Sequence, residues 1–392
     1  MYVTRPLSMY RNEGATSAAP VPAALVEGPN TGVLVIEDEA AESRWLFGLL
    51  KRKSVKAPPF PQNKIMELRY TINSGEHQHT DYFYALLIPV INRPLSSNKY
   101  YVIKSRGKTK GLACTSSKED DETSCCCFGI PDTPPQLFDP TNAYQQFQIS
   151  NYVQCAGPCG FMANSIAPDG VPPRFLRRRG WRAYTKTFKN KNLELTQALG
   201  LDAALRAHLP ALNFSLPAKS SDPVVVGKWY CPFIFVRDGE VGSQVSNSPY
   251  YEMTLQQSWE EIFGCGNLGG GERGVDFDVS VEKEVILIAG QRTDGREVGD
   301  GVVWFGSWGV GLSLAIVERV KWEEERAGFE FGKEKEKKYV KVKRREEYGG
   351  VGEWKRFGCY VLIERFVLKR MDGSLVLTWE FKHTHQIRTK WE

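Results

Sequence analysis

The chain has 392 residues, enough for two domains with sizeable hydrophobic cores. Its 42% hydrophobic and 25% charged residues are those of a globular protein and exclude a disordered or fibrous chain. A formal charge of +5 is too small for a surface that coats nucleic acid at large, so any polyanion site must be local.

The opening stretch MYVTRPLSMYRNEGATSAAPVPAALVEG lacks the continuous apolar segment of a signal peptide. No run approaches the length of apolar chain that spans a bilayer, so no transmembrane segment is expected. Residues 12–31, rich in Ala, Pro and Gly, read as a loop. Short β-like runs follow: TGVLVIED, KIMELRYT, YFYALLIPVI, KYYVIKS and KGLACTSS, with polar or Pro/Gly breaks between them. That spacing predicts a β-rich N-terminal domain over 1–150, closed by an irregular loop that carries SSKEDDETSCCCFG and IPDTPPQLFDPTN.

The remaining 151–392 form the second expected domain. In APDGVPPRFLRRRG, Pro172 and Pro173 precede an arginine-rich stretch and Gly180 follows it, which predicts a helix of one or two turns. LELTQALGLDAALRAHLP places Leu195, Leu199, Ala203 and Leu205 at helical spacing. TLQQSWEEIF reads as a helix with Thr254 as its N-cap. In VGLSLAIVERVKW the residues Val310, Leu312, Leu314, Ile316, Val320 and Trp322 alternate, which predicts a strand, with a helix as the runner-up. Asp372-Gly373 sits between two amphipathic runs and predicts a hairpin. The last run, SLVLTWEFKHTHQIRTKW, alternates so that Leu375, Leu377, Trp379, Phe381, His383, His385, Ile387 and Trp391 share a face. The fold class expected is α+β: mostly antiparallel β, with a β-rich N-terminal unit, a partly helical middle and a larger β-rich, sandwich- or barrel-like C-terminal unit.

Nine cysteines, an odd count, include the adjacent Cys125, Cys126 and Cys127, which disulfide geometry keeps from pairing with one another. Together with the absent export signal they predict free thiols in the cytoplasm or nucleus. Cys155 and Cys159 form one loose pair, and with Cys114 and the triplet upstream this is not the two-pair spacing of structural zinc. GCGNLG at 264–269 matches a dinucleotide fingerprint as a string, but the strand before it and the helix after it are missing. No cofactor is expected, and neither a specific nucleic-acid motif nor a nucleophile elbow, zinc-protease helix or kinase signature is present.

Two constellations remain. PRFLRRRGWRAYTKTFKNK holds Arg174, Arg177, Arg178, Arg179 and Arg182 with interleaved aromatics and no acidic residue. Guanidinium forks suit oxyanions, which makes these five the anion-binding candidates; an acidic protein, a phospholipid headgroup or another polyanion is the matching partner. The bland alternative pairs the arginines internally with IEDEAAE or WEEER. On the final strand, His383 and His385 have the spacing of two metal ligands, but packed core histidines look the same, and both are expected to be buried. A second His-x-His, His77 and His79 in GEHQHT, reads as a solvated turn.

Several stretches, MYVTRPLS, PFPQNK, APDGVPPRFLRRRGW, NFSLPAKSSDPVVVGKWYCPFIFV, YYEMTLQQSWEEIF, VGLSLAIVERVKWEEERAGF and LKRMDGSLVLTWEFKHTHQIR, together resemble one uncharacterised plant family. That family is the domain of unknown function numbered twelve-sixty-two. The resemblance implies a plant source and no assigned activity, and it brings no catalytic residues. Some members carry an insecticidal-toxin label, which nothing in these residues supports. The expected function is therefore a non-catalytic binding or scaffold protein with a basic anion-binding segment. The alternative is an enzyme or metal-binding protein that uses the C-terminal His-x-His.

Overall fold

Most of the apolar runs become strands of one of two sheets. The computed structural model describes residues 1–12, 28–40, 44–45, 50–51, 54–74, 77–120, 130–153, 160–188, 193–267, 269, 273–306, 309–331 and 338–392. Strands β1 (Tyr2–Pro6) and β2 (Gly32–Ile36) pair in parallel at the edge of a nine-stranded sheet. The chain then builds a seven-stranded sheet from β3 (Ser54–Val55), β4 (Ile65–Ser74), β5 (His77–Pro89), β6 (Lys99–Lys104), β7 (Gln146–Tyr152), β8 (Gly160–Ser165) and β9 (Arg182–Lys186). Its spatial order is β8-β7-β6-β5-β4-β9-β3, antiparallel throughout.

The later strands are β10 (Val224–Pro232), β11 (Tyr250–Gly266), β12 (Gly274–Glu282), β13 (Glu284–Ile288), β14 (Tyr339–Glu347), β15 (Arg356–Arg370) and β16 (Leu375–Trp391). All but β12 and β14 return to the larger sheet, in the order β2-β1-β10-β11-β15-β16-β13, with the two-residue strands Gly200–Leu201 beside β10 and Gln291–Arg292 beside β13 making nine. Strands β12 and β14 pair with each other as a separate ribbon. Since β1 and β2 lie in the larger sheet and β8 and β9 in the smaller, the sheets do not part at residue 150.

The molecule is mostly β, which corrects the expected α+β class and its partly helical middle. Among its described residues the middle keeps only α1 (Arg174–Arg177) and α2 (Ala203–His208). TLQQSWEEIF, expected as a helix, lies inside the 17-residue strand β11. The reason is burial on both faces: Thr254, Leu255, Gln257, Ser258 and Trp259 are all buried, so the strand shows no polar alternation. VGLSLAIVERVKW, expected as a strand, is a strand only at Val310–Ser313 and then becomes α3 (Leu314–Arg326). In α3 the buried positions Ile316, Val320, Glu323 and Glu324 repeat at helical spacing, and two of them are carboxylates that hydropathy reads as exposed. The Asp372-Gly373 hairpin joins β15 to β16 as expected, with Gly373 at φ +85°.

One core joins the two sheets. Leu86, Ile88, Tyr101 and Ile103 of the smaller sheet share it with Trp229, Met253, Phe366 and Trp379 of the larger. Each such buried side chain contributes about 1.5–3 kcal/mol, so the shared core fixes the sheets against each other. The opposite face of the smaller sheet has its own core, with Met66, Leu68, Leu87 and Val102 covered by Leu176 and Trp181.

Candidate functional site

The smaller sheet carries a basic and aromatic patch on the end that the larger sheet leaves uncovered. Register places Arg182, Arg69 and Tyr82 in one cross-strand row and Tyr184, Glu67 and Tyr84 in the next. These side chains share the face that, further along β5 and β6, becomes the common core at Leu86 and Ile103. Arg69 lies over the Tyr184 ring at 4.1 Å and near Tyr82 at 5.7 Å, and Arg106 lies over Tyr84 at 3.9 Å. Such stacking holds a guanidinium flat and leaves its N–H edge free to donate. Lys186 completes the group, 5.3 Å from the Tyr84 ring.

The one carboxylate in these two rows is Glu67, which takes Arg69 at 2.5 Å and Lys186 at 2.9 Å. Burial works against its charge, but the hydrogen bonds from Lys186 and Arg69 outweigh it and hold its pKa below the usual carboxylate value. Arg182 is exposed, stands directly opposite Arg69, and has no acidic partner among the described residues. Glu67 offsets Arg69 and Lys186, which leaves Arg182 as the cation of these rows with no carboxylate of its own among the described residues.

The five arginines of the basic stretch do not form a single patch. Proline-capped α1 lies over the other face of the smaller sheet, where Phe175 stacks on Phe83 at 5.1 Å and Leu176 is buried. Arg178 is bound to Asp81 and lies 4.8 Å from the Tyr70 ring, so its charge is used internally. Arg174 and Arg179 are exposed and Arg177 is half-buried. Only Arg182, past the turn at Gly180, reaches the Arg69 face. Arg69, Arg106 and the three tyrosines were not among the sequence candidates. The signal was there in period-two form: RAYTK and ELRY each put alternate charged or tyrosine residues on one side of a strand.

The second constellation is buried. His383, 1% exposed, is 3.0 Å through its Nε2 from Glu324 Oε2 and 3.4 Å from Glu364 Oε2. Arg206 grips Glu364 with two donors, Nε at 2.8 Å and Nη2, and reaches Glu323 and Glu324 at 3.4 and 3.5 Å. Gln257 donates to Glu364 at 2.8 Å. Burial alone would lower the His383 pKa, yet the two carboxylates lift it to about 9. Burial raises Glu324, and the Glu364 charge adds to that; Glu364 is held well below the usual range because Arg206 and His383 outweigh its own burial.

His385 is exposed, against the expectation that both histidines are buried. The pairing of β15 with β16 jumps from Leu362↔His383 to Val361↔Ile387, and the irregularity at 384–386 breaks the alternation. Metal-ligand atoms of Glu324, Glu364 and His383 lie within 4.8 Å of one another. Two features fit a metal poorly. Arg206 already neutralises Glu364, and His383 Nδ1 has no hydrogen-bond partner, whereas a ligating histidine normally donates its second N–H. His77 and His79 lie exposed on β5 rather than in a turn, and His79 pairs with Asp81 at 2.9 Å. Cys125, Cys126, Cys127, Cys155 and Cys159 lie outside the described residues; Cys114, Cys231, Cys265 and Cys359 are free thiols.

Among the described residues, no helix is long and apolar enough to cross a membrane. No curated protein matches the chain. The crystal structure of Cry35Ab1 aligns with it over 85% of this chain and 90% of that one, at 14% identity and a TM-score of 0.44. Residues 27–128 match the family model described as "Protein of unknown function (DUF1262)".

Proposed function

We propose that the chain is a non-catalytic binding protein that takes oxyanions on the uncovered face of its smaller sheet. The observation that carries this reading is Arg182 standing opposite Arg69 with no acidic partner among the described residues. Arg106 and Lys186 extend the basic face, and stacking on tyrosine keeps the guanidinium donors oriented at little entropic cost. Because Arg69 and Arg106 already lie over Tyr184 and Tyr84, those rings offer little surface for stacking a base. Phosphate, sulfate or carboxylate groups of a headgroup, an acidic protein or another polyanion are the matching chemistry. Arg174, Arg177 and Arg179 supply additional charge around α1. The chain acts in the plant cytoplasm on this reading, which the resemblance in sequence and the free thiols support.

Retention on heparin and on phosphoinositide liposomes tests it. Arg182→Glu should abolish retention, Arg174→Glu should weaken it slightly, and rising salt should weaken it for the wild type. Salt-insensitive binding, or equal loss in both variants, would reject the sheet face as the site.

The alternative is a metal at His383, and its support is the closeness of Glu324, Glu364 and His383. Elemental analysis finding one zinc, copper or iron per chain, lost in His383→Gln, would favour it over the ion network.

A further inference from the structure

A cleft of about 690 Å³ opens between the end of the smaller sheet and α3. That volume lies in the usual range for a small-molecule site, and the junction of two packed units is a common place for one. The floor is apolar: Val90, Ile91, Tyr101 and Ala315 line it, and each is at least nine-tenths buried. The Tyr101 hydroxyl is already engaged, donating to the Pro140 carbonyl at 3.4 Å.

The rim is polar and carries both charges. Glu318 of α3 accepts from the Asn30 side-chain amide on Oε2 at 2.9 Å, and the Asn30 backbone N–H is tied in turn to Asn92 Oδ1 at 2.7 Å. Asp139 takes the Thr141 N–H and hydroxyl on Oδ1 alone, at 2.8 and 2.7 Å. Each carboxylate is thus held in place with its second oxygen left to accept. Arg93 and Asp300 complete the rim; both are exposed, and neither makes an ion pair among the described residues.

This set of groups selects against a charged ligand. An anion suited to Arg93 would face three carboxylates, and a cation suited to the carboxylates would face Arg93. A hydroxyl both donates and accepts, so a neutral molecule with several hydroxyls can donate to the carboxylate oxygens and accept from the guanidinium. Its C–H faces would rest on the apolar floor. We propose that the cleft is a saccharide-binding site. The inference is independent of the oxyanion face, which lies toward the other end of β5.

Glucose, galactose, mannose and sucrose, free in solution and followed by saturation-transfer NMR, are one set of probes. An array of protein-linked glycans is the other, and the arm that responds tells a free sugar from a glycan; spermidine is the cationic comparison. At least one saccharide should bind, with no dependence on ionic strength. Its binding should weaken about tenfold in Arg93→Ala and in Asp300→Asn. Both residues are exposed, so thermal midpoints should stay unchanged, and if one variant does not fold the other decides. Binding of spermidine alone, no saccharide in either arm, or a saccharide held equally well by the variants would overturn the proposal.

Discussion

His383 and His385 stand two residues apart on β16, and their surroundings differ because the pairing with β15 is irregular just past His383. His383 is buried against Glu324 and Glu364, and its pKa of about 9 is raised above the ordinary 6.5. A raised histidine contributes stability that is complete below 6.5 and lost as pH rises through about 9. Glu324 acts in the same direction, because a carboxyl raised above 4.5 binds more protons folded than unfolded, so stability falls as pH climbs. Glu364, depressed below 4.5, contributes above that value and loses its contribution as pH falls through its lowered pKa. Stability should therefore be greatest near pH 4.5 and decline above it, first as Glu324 and then, above 6.5, as His383 lose their protons. Urea unfolding across pH should show this. His383→Gln should lower stability by about 1–3 kcal/mol at pH 6 and flatten the decline between 6.5 and 9. An unchanged alkaline slope would mean that His383 is not the titrating group. The sequence placed His383 on an apolar face but could not show its partners, which come from α3 and β15, 59 and 19 positions away.

At the scale of elements, glycine, proline and alternation were legible wherever a strand has one covered face. Asp372-Gly373 was such a case, and its backbone can be tested. Gly373 has φ +85° and open space where a β-carbon would stand, so Gly373→Ala meets conformational strain and no clash. It should cost about 1 kcal/mol in denaturant unfolding, and a neutral result would mean that the turn relaxes freely. Alternation failed where polar groups are buried. In β11 Gln257 donates to Glu364 and Ser258 accepts from Arg365, polar contacts that made a buried strand resemble an amphipathic helix. In α3, Arg319 and Glu323 bury as an i,i+4 pair at 2.5 Å, so the helix core includes charges that a hydropathy pattern excludes.

The two largest sheets share one core, and the far end of the smaller one is exposed. Sequence reading found the β-rich character and one of the two opposed arginines. Arg69 was hidden because it lies more than a hundred residues from Arg182, and only strand register brings them together. The four described cysteines are free, and all nine thiols should titrate under denaturing, non-reducing conditions; a stable disulfide would contradict a reducing compartment. Anion binding by the opposed arginines is the central claim, and linkage makes it measurable. An anion that binds only the folded state raises stability with its concentration. The thermal midpoint should be followed against inorganic pyrophosphate at constant ionic strength, for wild type and Arg182→Thr. The wild-type midpoint should rise saturably. Arg182→Thr, relieved of the like-charge pair, should start slightly higher and stay flat. A flat wild-type curve, or an equal rise in the variant, would contradict the account.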